Sequence, residues 1–458
     1  MDATIIGKEA VIVQKKSYCP KTYPCPKCGK KGKRRQKIIR YVRDIAYGRI
    51  SIIELTLGVY QVNCECSRTF RSVPDFMPQG GRYTYAVRDA IVRSLIRDGL
   101  SAEKTKRRMK EDFCLDISIG FIHGCLEWAS DKVDQQAYRD WVRQNFSGVC
   151  CIDEVYDGGK AIFIATDPLN DLTLTFHLAD KSDAMALAVV LTQLTEAGIE
   201  PKVVVTDGSP LYKQALAEQW QDVEHQLCIF HVLMEANKTI LQAVRFVKNR
   251  LRRAGQAGRK RRRGRPSKQA QARRQAQTQR TRKEQATFIW EHQHLIVKRE
   301  DRLTEQDKED LQRLYEIAPE LKSYRQFSLE LHGLFRKDQS KHRAWCRRAA
   351  MMRNQKYQND RFLRKILQRL VEDKFTRMIT FLGWENVDRT NNHVERCNRS
   401  FRMSHKTRYK RRRKHTIARA LWVELDWRRQ RHPLNKSLSV VLGNKHQPIS
   451  VVSDRKIA

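Results

Sequence analysis

Two short β-branched runs, each ending on an aspartate, constrain this chain more than any other feature. Residues 151–156 read Cys-Ile-Asp-Glu-Val-Tyr, and residues 203–208 read Val-Val-Val-Thr-Asp-Gly. Residues 149–152 have the length and composition of a buried strand, with Asp153 where the strand should emerge. Residues 202–206 repeat the device, ending on Asp207 and then Gly208-Ser209-Pro210, a turn that opens a helix. Between them lie two further strand-like runs, 161–166 and 172–178. A helical stretch over 183–197 follows, with Ala184, Leu187, Leu191, Leu194 and Ala197 on its inner face. The order is β-β-β-α-β, in which the first and fourth strands can lie side by side and parallel. Ligand chemistry in such sheets gathers at the carboxyl ends of the strands, which makes Asp153 and Asp207 neighbours.

Two adjacent carboxylates repel each other unless a cation sits between them. The alternative is that each merely caps the turn after it. A third element bears on the choice: residues 390–401, Thr-Asn-Asn-His-Val-Glu-Arg-Cys-Asn-Arg-Ser-Phe. As a helix it carries an apolar stripe of Val394, Cys397 and Phe401, with Asn391, Glu395, Asn398 and Arg402 on an adjacent polar face. A carboxylate flanked by amides and arginines suits a metal ion held next to a phosphate. Glu154 and Asp157 are close enough to Asp153 to support it or rival it. Residues 223–229 read as a fifth strand running into Cys228-Ile-Phe-His231. That pair is half of a metal site without an evident second half, or it places His231 at a helix start to meet a phosphate or orient a ligand.

The whole chain is strongly basic. Its 458 residues hold 90 Lys+Arg against 51 Asp+Glu, a formal net charge of +39. An ordinary enzyme of small molecules has no use for that excess, whereas a nucleic-acid partner has. No run of 18 apolar residues occurs and the N-terminus lacks a signal pattern, so the expectation is a cytoplasmic, nucleoid-associated protein without a membrane partner. Twelve cysteines then read as thiols and metal ligands. Cys25-Pro-Lys-Cys28-Gly29 is a knuckle, and Cys64-Glu-Cys66 offers a second pair after the extended run 50–62. Together they predict a closed structural Zn²⁺ site, with Cys19 as a possible substitute ligand. Cys114, Cys125, Cys150, Cys151, Cys346 and Cys397 read as packing residues.

Residues 83–97, 101–112 and 118–129 read as three helices, with Ser101 capping the second. The second and third have the look of a helix-turn-helix, and Lys104, Lys106, Arg107, Arg108 and Lys110 favour DNA over a plain three-helix bundle. Residues 236–380 are helical throughout. Within them, residues 250–283 hold 15 Lys/Arg and no acid, and the centre, 258–268, should be disordered without a partner. There Arg263-Gly-Arg265-Pro resembles an AT-hook core for the minor groove, the alternative being a solvated polybasic linker. Trp290, Trp345 and Trp384 read as core, with base stacking as the other reading. Residues 396–414 carry ten more Lys/Arg, Arg402 and Lys406 among them, as a phosphate track or a solvated face. A closing helix spans 416–427.

The ordered set of the Ile-Asp-Glu strand end at Asp153, the Asp-Gly-x-x-x-Tyr run at 207–212, Cys228-Ile-Phe-His231 and Asn-Asn-His-Val-Glu395 resembles the DDE transposases of prokaryotic insertion sequences, specifically the Mutator-like group. The resemblance covers nearly the whole chain, and the arginine-rich insertion is its main departure. It implies a multidomain α/β protein: an RNase H-like mixed-sheet core split by an all-helical insertion, behind a zinc-ribbon-like module and a helix-turn-helix domain. The segments are 1–78 for zinc, 79–135 for the helix-turn-helix, 145–235 and 381–430 for the core, 236–380 for the insertion, and 431–458 as a tail. It further implies that Asp153, Asp207 and Glu395 hold two Mg²⁺ (or Mn²⁺) ions for DNA cleavage and strand transfer. Cys228, His231, Asn391 and Asn398 would be secondary site residues. The partner would be double-stranded DNA at element ends and target, bound by a homo-oligomer. A domesticated DNA-binding regulator and a two-metal nuclease without strand transfer are the alternatives.

Overall fold

The computed structural model describes residues 11–62, 69–157, 160–256, 268–405 and 413–435. The chain forms two compact units, one of Met1–Trp141, Tyr156–Lys160 and Cys397–Ala458, the other of Val142–Val155 and Ala161–Arg396.

The first unit begins with a mixed sheet of β1 (Val11–Tyr18), β2 (Thr22–Pro24), β3 (Lys31–Asp44), β4 (Ile50–Gln61) and β5 (Thr69–Arg71). Its order is β1-β4-β3-β2, with β5 also on β4. Alternation along β4 buries Ile53, Leu55 and Leu57 against Val42 and Met77. Only β4 is legible in the sequence, because the cations of β3 interrupt any apolar alternation. Three helices follow near their expected places: α1 (Tyr85–Ile96), α2 (Ala102–Phe113) and α3 (Ile119–Ser130). Thr84, Ser101 and Ser118 cap them by accepting the amides of Val87, Lys104 and Phe121. Val87, Ile91, Met109, Ile122 and Cys125 form their core. Next comes α4 (Gln135–Asn145), which the sequence reading did not anticipate.

The second unit is built on β6 (Val149–Asp157), β7 (Lys160–Asp167), β8 (Leu172–Ala179), α5 (Ala184–Glu196), β9 (Val203–Thr206), α6 (Leu211–Gln219) and β10 (Glu224–Leu227). The sheet order is β10-β9-β6-β7-β8. β9 pairs parallel with both β6 and β10, and β7 pairs antiparallel with β8. Val203, Val204 and Val205 are fully buried, which is why a short, unalternating valine run makes this central strand. Two expectations need correction. β6 does not end at Asp153 but continues to Asp157. The buried stripe of α5 is Ala186, Leu187, Val190, Leu191 and Leu194, so the expected Leu187, Leu191 and Leu194 are buried while Ala184 is exposed.

A helical region follows: α7 (Ile229–Gln256), α8 (Lys268–His292), α9 (Glu305–Ile317), α10 (Glu320–Gly333), α11 (Lys341–Arg353), α12 (Gln355–Asn359), α13 (Arg361–Leu367) and α14 (Glu372–Met378). The basic stretch is therefore helical at 250–256 and 268–283, and residues 257–267, with Arg263 and Arg265, lie outside the described residues. Trp290 is not core: it is 48% exposed, with Lys248 4.4 Å and Arg245 5.5 Å from its ring centroid. Cys346 is likewise exposed rather than packed. The chain after α14 covers the β10 edge, where Gln226 accepts from the Phe381 amide at 2.8 Å and donates to the Met378 carbonyl at 3.1 Å.

The last elements are α15 (Asn392–His405) and α16 (Lys414–Arg431). Ala420, Val423 and Trp427 of α16 pack into the α1–α3 core. The closing helix thus belongs with the first unit, whereas the sequence reading grouped it with the sheet. Among the described residues no helix is long and apolar enough to cross a membrane.

Candidate functional site

Parallel pairing sets Cys151 against Val205, so Asp153 and Asp207, two residues further along in each case, lie toward the same end of the sheet. The β9–β10 pairing continues through the Cys228 amide, which donates to the Thr206 carbonyl at 2.7 Å. Cys228 then opens α7, and a distant part of the chain is tied to that junction. The Ile229 amide donates to the Arg389 carbonyl at 2.8 Å, and the Asn391 amide to Cys228 Sγ at 3.2 Å. Asn391 Nδ2 donates to the Ile152 carbonyl at 3.1 Å, next to Asp153. Asn391 is also the residue before α15, and its carbonyl accepts from the Glu395 amide at 3.2 Å. One fully buried asparagine therefore joins β6, the start of α7 and the helix that carries Glu395.

His393 adds a second tie between α15 and the β7–β8 hairpin. Its Nε2 lies 2.6 Å from Asp171 Oδ1 and its Nδ1 3.0 Å from Thr166 Oγ1. Asp171 is held at a φ of 53°, a left-handed turn that aspartate tolerates. The sequence reading included His393 in the Asn-Asn-His-Val-Glu395 motif but gave it no role, because its partner lies more than 200 residues away.

Asp153 is close enough to Glu154, Asp207 and Glu395 for their charges to act on it. Burial, then the neighbouring Glu154, Asp207 and Glu395, push the Asp153 carboxyl up to about 7. Burial and like charge both disfavour its ionised form, and a bound cation reverses the second effect. Asp207 has one oxygen engaged, Oδ1 accepting the Ser209 amide at 2.9 Å, so it does cap the turn after β9. Glu154 is otherwise occupied. It accepts from the Tyr212 hydroxyl, and from the Ser182 hydroxyl at 3.3 Å. Tyr212 is fully buried, and the Asp-Gly-x-x-x-Tyr motif thus holds a carboxylate anchor. Oxygen donors from Asp153, Asp207 and Glu395 are the set a hard divalent cation takes.

Cys228, His231 and Glu395 also converge, with their ligand-type atoms all within 4.8 Å of one another. The nearby Cys228 sulfur is the largest influence raising the His231 imidazole above its ordinary range, burial opposing it. The polar face expected along α15 is not solvent-facing. Asn391 and Asn398 are buried, and Asn391 Nδ2 is the amide bonded to the Ile152 carbonyl. Val394 is buried as expected. The side chains of Phe401 and Arg402 lie outside the described residues, as do Lys406 and the segment around it.

The other expected sites divide unevenly. Cys25 is buried against Tyr23, Tyr60 and Phe70, and Cys28 is exposed. The loop between them is a tight turn: the Gly29 amide donates to the Cys25 carbonyl at 2.9 Å, and Gly29 has a φ of 71°. Cys64 and Cys66 lie outside the described residues. On α2, no ion pair engages Lys104 or Lys106 among the described residues, but Arg107 pairs with Glu111 at 3.0 Å. Arg108 is held by Asp98 and by Asp112, which departs from its reading as a free DNA contact. The expected recognition helix α3 carries no Lys or Arg.

A family model described as a transposase, DDE_Tnp_ISL3, matches residues 151–413, more than half of the chain. The match is to that group and not to the Mutator-like group the motifs resemble, since motifs this short do not separate one group from another. A comparison with curated proteins gives no match.

Proposed function

Since the chain belongs to the DDE_Tnp_ISL3 family of transposases, we propose that it cleaves DNA at the ends of an insertion sequence and joins the freed 3′ ends to a target. Asp153, Asp207 and Glu395 are the reading's metal-binding carboxylates, in an RNase H-like core. What supports it most is geometric: β6 and β9 pair in parallel, so Asp153 and Asp207 lie toward the same end of the sheet, and Asn391, just before the helix of Glu395, bonds the Ile152 carbonyl at 3.1 Å. Folding gathers mutually repelling carboxylates in this way when a cation offsets the repulsion. Two Mg²⁺ ions, or Mn²⁺ in their place, would activate the attacking water or 3′-hydroxyl and stabilise the departing 3′-oxygen.

The protein's own residues hold the frame. Asn391 ties the Ile152 carbonyl to the start of α15, which sets Glu395 relative to Asp153. Tyr212 and Ser182 hold Glu154 by its own hydrogen bonds, leaving Asp153 as the ligand from β6. The net charge of +39, Lys104 and Lys106 on α2, and the arginine-rich stretch with Arg263 and Arg265 support double-stranded DNA as the partner. In this reading α2 and α3 act as a helix-turn-helix, and Cys25, Cys28, Cys64 and Cys66 hold Zn²⁺. The protein works as a homo-oligomer on DNA. A joining assay with pre-cleaved element ends and Mg²⁺ separates this reading from a nuclease. Covalent joining to target DNA is the expected outcome, and cleavage without any joining would contradict it.

A further inference from the structure

We infer that Cys228, His231 and Glu395 form a binding site for a transition-metal ion of the Zn²⁺ class. The thiol, imidazole and carboxylate come from two chain segments that the Asn391 clamp brings together, and their ligand atoms all lie within 4.8 Å of one another. Small side-chain adjustments bring three such atoms around one tetrahedral ion, leaving a fourth position open. Cys228 is 1% exposed and sits at the start of α7, where its sulfur accepts the Asn391 amide. That N–H and the helix start both place partial positive charge at the sulfur.

A second, independent observation points to a ligand. His231 Nδ1 and Glu395 Oε1 are both buried, and neither has a hydrogen-bond partner among the described residues. The other ring nitrogen of His231, Nε2, faces Glu395 Oε1 at 3.9 Å, beyond hydrogen-bond reach. An ion held by Cys228 Sγ, a ring nitrogen of His231 and Glu395 would account for the unpaired Glu395 oxygen. Donor chemistry sets the kind of ion: sulfur and imidazole select Zn²⁺-class metals, whereas the all-oxygen Asp153 and Asp207 select Mg²⁺. Glu395 serves both sets, so a Zn²⁺-class ion competes with Mg²⁺ for it. That consequence rests on the catalytic reading above; the binding itself does not.

The test is Co²⁺ titration of the metal-free, reduced full chain in a background with Cys19, Cys25, Cys28, Cys64 and Cys66 all changed to Ser, which removes the N-terminal thiols. The expected result is one Co²⁺ per chain with a thiolate charge-transfer band. Cys228→Ser should abolish that band, and His231→Gln should weaken binding at least tenfold. Should the background not fold, the same comparison is the loss of one Co²⁺ equivalent between the unsubstituted chain and Cys228→Ser. A band unchanged in Cys228→Ser, or no thiolate band at all, overturns the site. If the band is present but Glu395→Gln cleaves DNA normally with Mg²⁺, the site stands and the catalytic reading fails. If the band is absent and Glu395→Gln is inactive, the site fails and the catalytic reading stands.

Discussion

Glu154 follows Asp153 along β6, so the two side chains leave the strand on opposite faces. Tyr212 and Ser182 bond Glu154 on its side, while Asp153 senses Asp207 and Glu395. Tyr212→Phe therefore removes one of two hydrogen bonds to a carboxylate, and should destabilise the fold by about 1–3 kcal/mol in a denaturant melt. Activity should survive that change if Glu154 is only an anchor. His225 gives a pH signature. Burial, with nearby Arg377, depresses it to about 4, and its Nε2 lies 2.8 Å from Thr206 Oγ1. The unfolded chain takes up its proton below about 6.5 while the folded chain does not until about 4. Stability should thus fall as pH drops through that window, by at most about 3 kcal/mol. His225→Gln should flatten that part of the stability–pH profile, and an unchanged slope would assign the acid sensitivity elsewhere. The aspartates stood out in the sequence because each ends an apolar run, and Glu395 because it shares a helical face with Asn391 and Asn398. The partners of Tyr212, His225 and His393 did not, since hydrogen bonds across long stretches leave no local pattern.

Helix α15 is held at the site by Asn391 just before it, by His393 in its first turn and by the buried Val394 of its apolar stripe. Asn391 spans three elements, and its side-chain bond to the Ile152 carbonyl has no substitute in the structure described. Asn391→Ala should cost about 1–3 kcal/mol and reduce DNA cleavage more than DNA binding, because Glu395 loses its support. Equal losses in cleavage and binding would argue against a positioning role. The core strands and α5 were legible because buried strands of valine and isoleucine, with polar breaks between them, have few other uses. The first sheet was hardly legible. In β3, cations at Lys31, Lys33, Arg34, Arg35, Lys37, Arg40 and Arg43 mask the pattern, and the strand holds through pairing with β4 instead. The face of α5 was read correctly at Leu187, Leu191 and Leu194, but its edges at Ala184 and Ala197 were not.

Across the whole molecule, an excess of 39 positive charges is the property that composition alone makes plain. Residues 257–267 concentrate six of the cations, at 259–263 and 265. Changing those six to Gln should flatten the dependence of log K on log salt by up to about five, at roughly 0.9 per phosphate contact. An unchanged slope would mean that the segment does not touch phosphate. The closing helix shows what the sequence withholds at this scale. Its apolar positions are plain, but only the fold shows that Ala420 and Val423 complete the α1–α3 core. The central claim is that Asp153, Asp207 and Glu395 act together in metal-dependent DNA cleavage. Its most direct test is Asp207→Asn, which keeps the side chain's size and its bond to the Ser209 amide but removes the charge a hard cation needs. The account predicts that Mg²⁺-dependent cleavage of element-end DNA falls by orders of magnitude while binding to the same DNA is retained. An Asp207→Asn protein that cleaves at the unsubstituted rate with Mg²⁺ would contradict it.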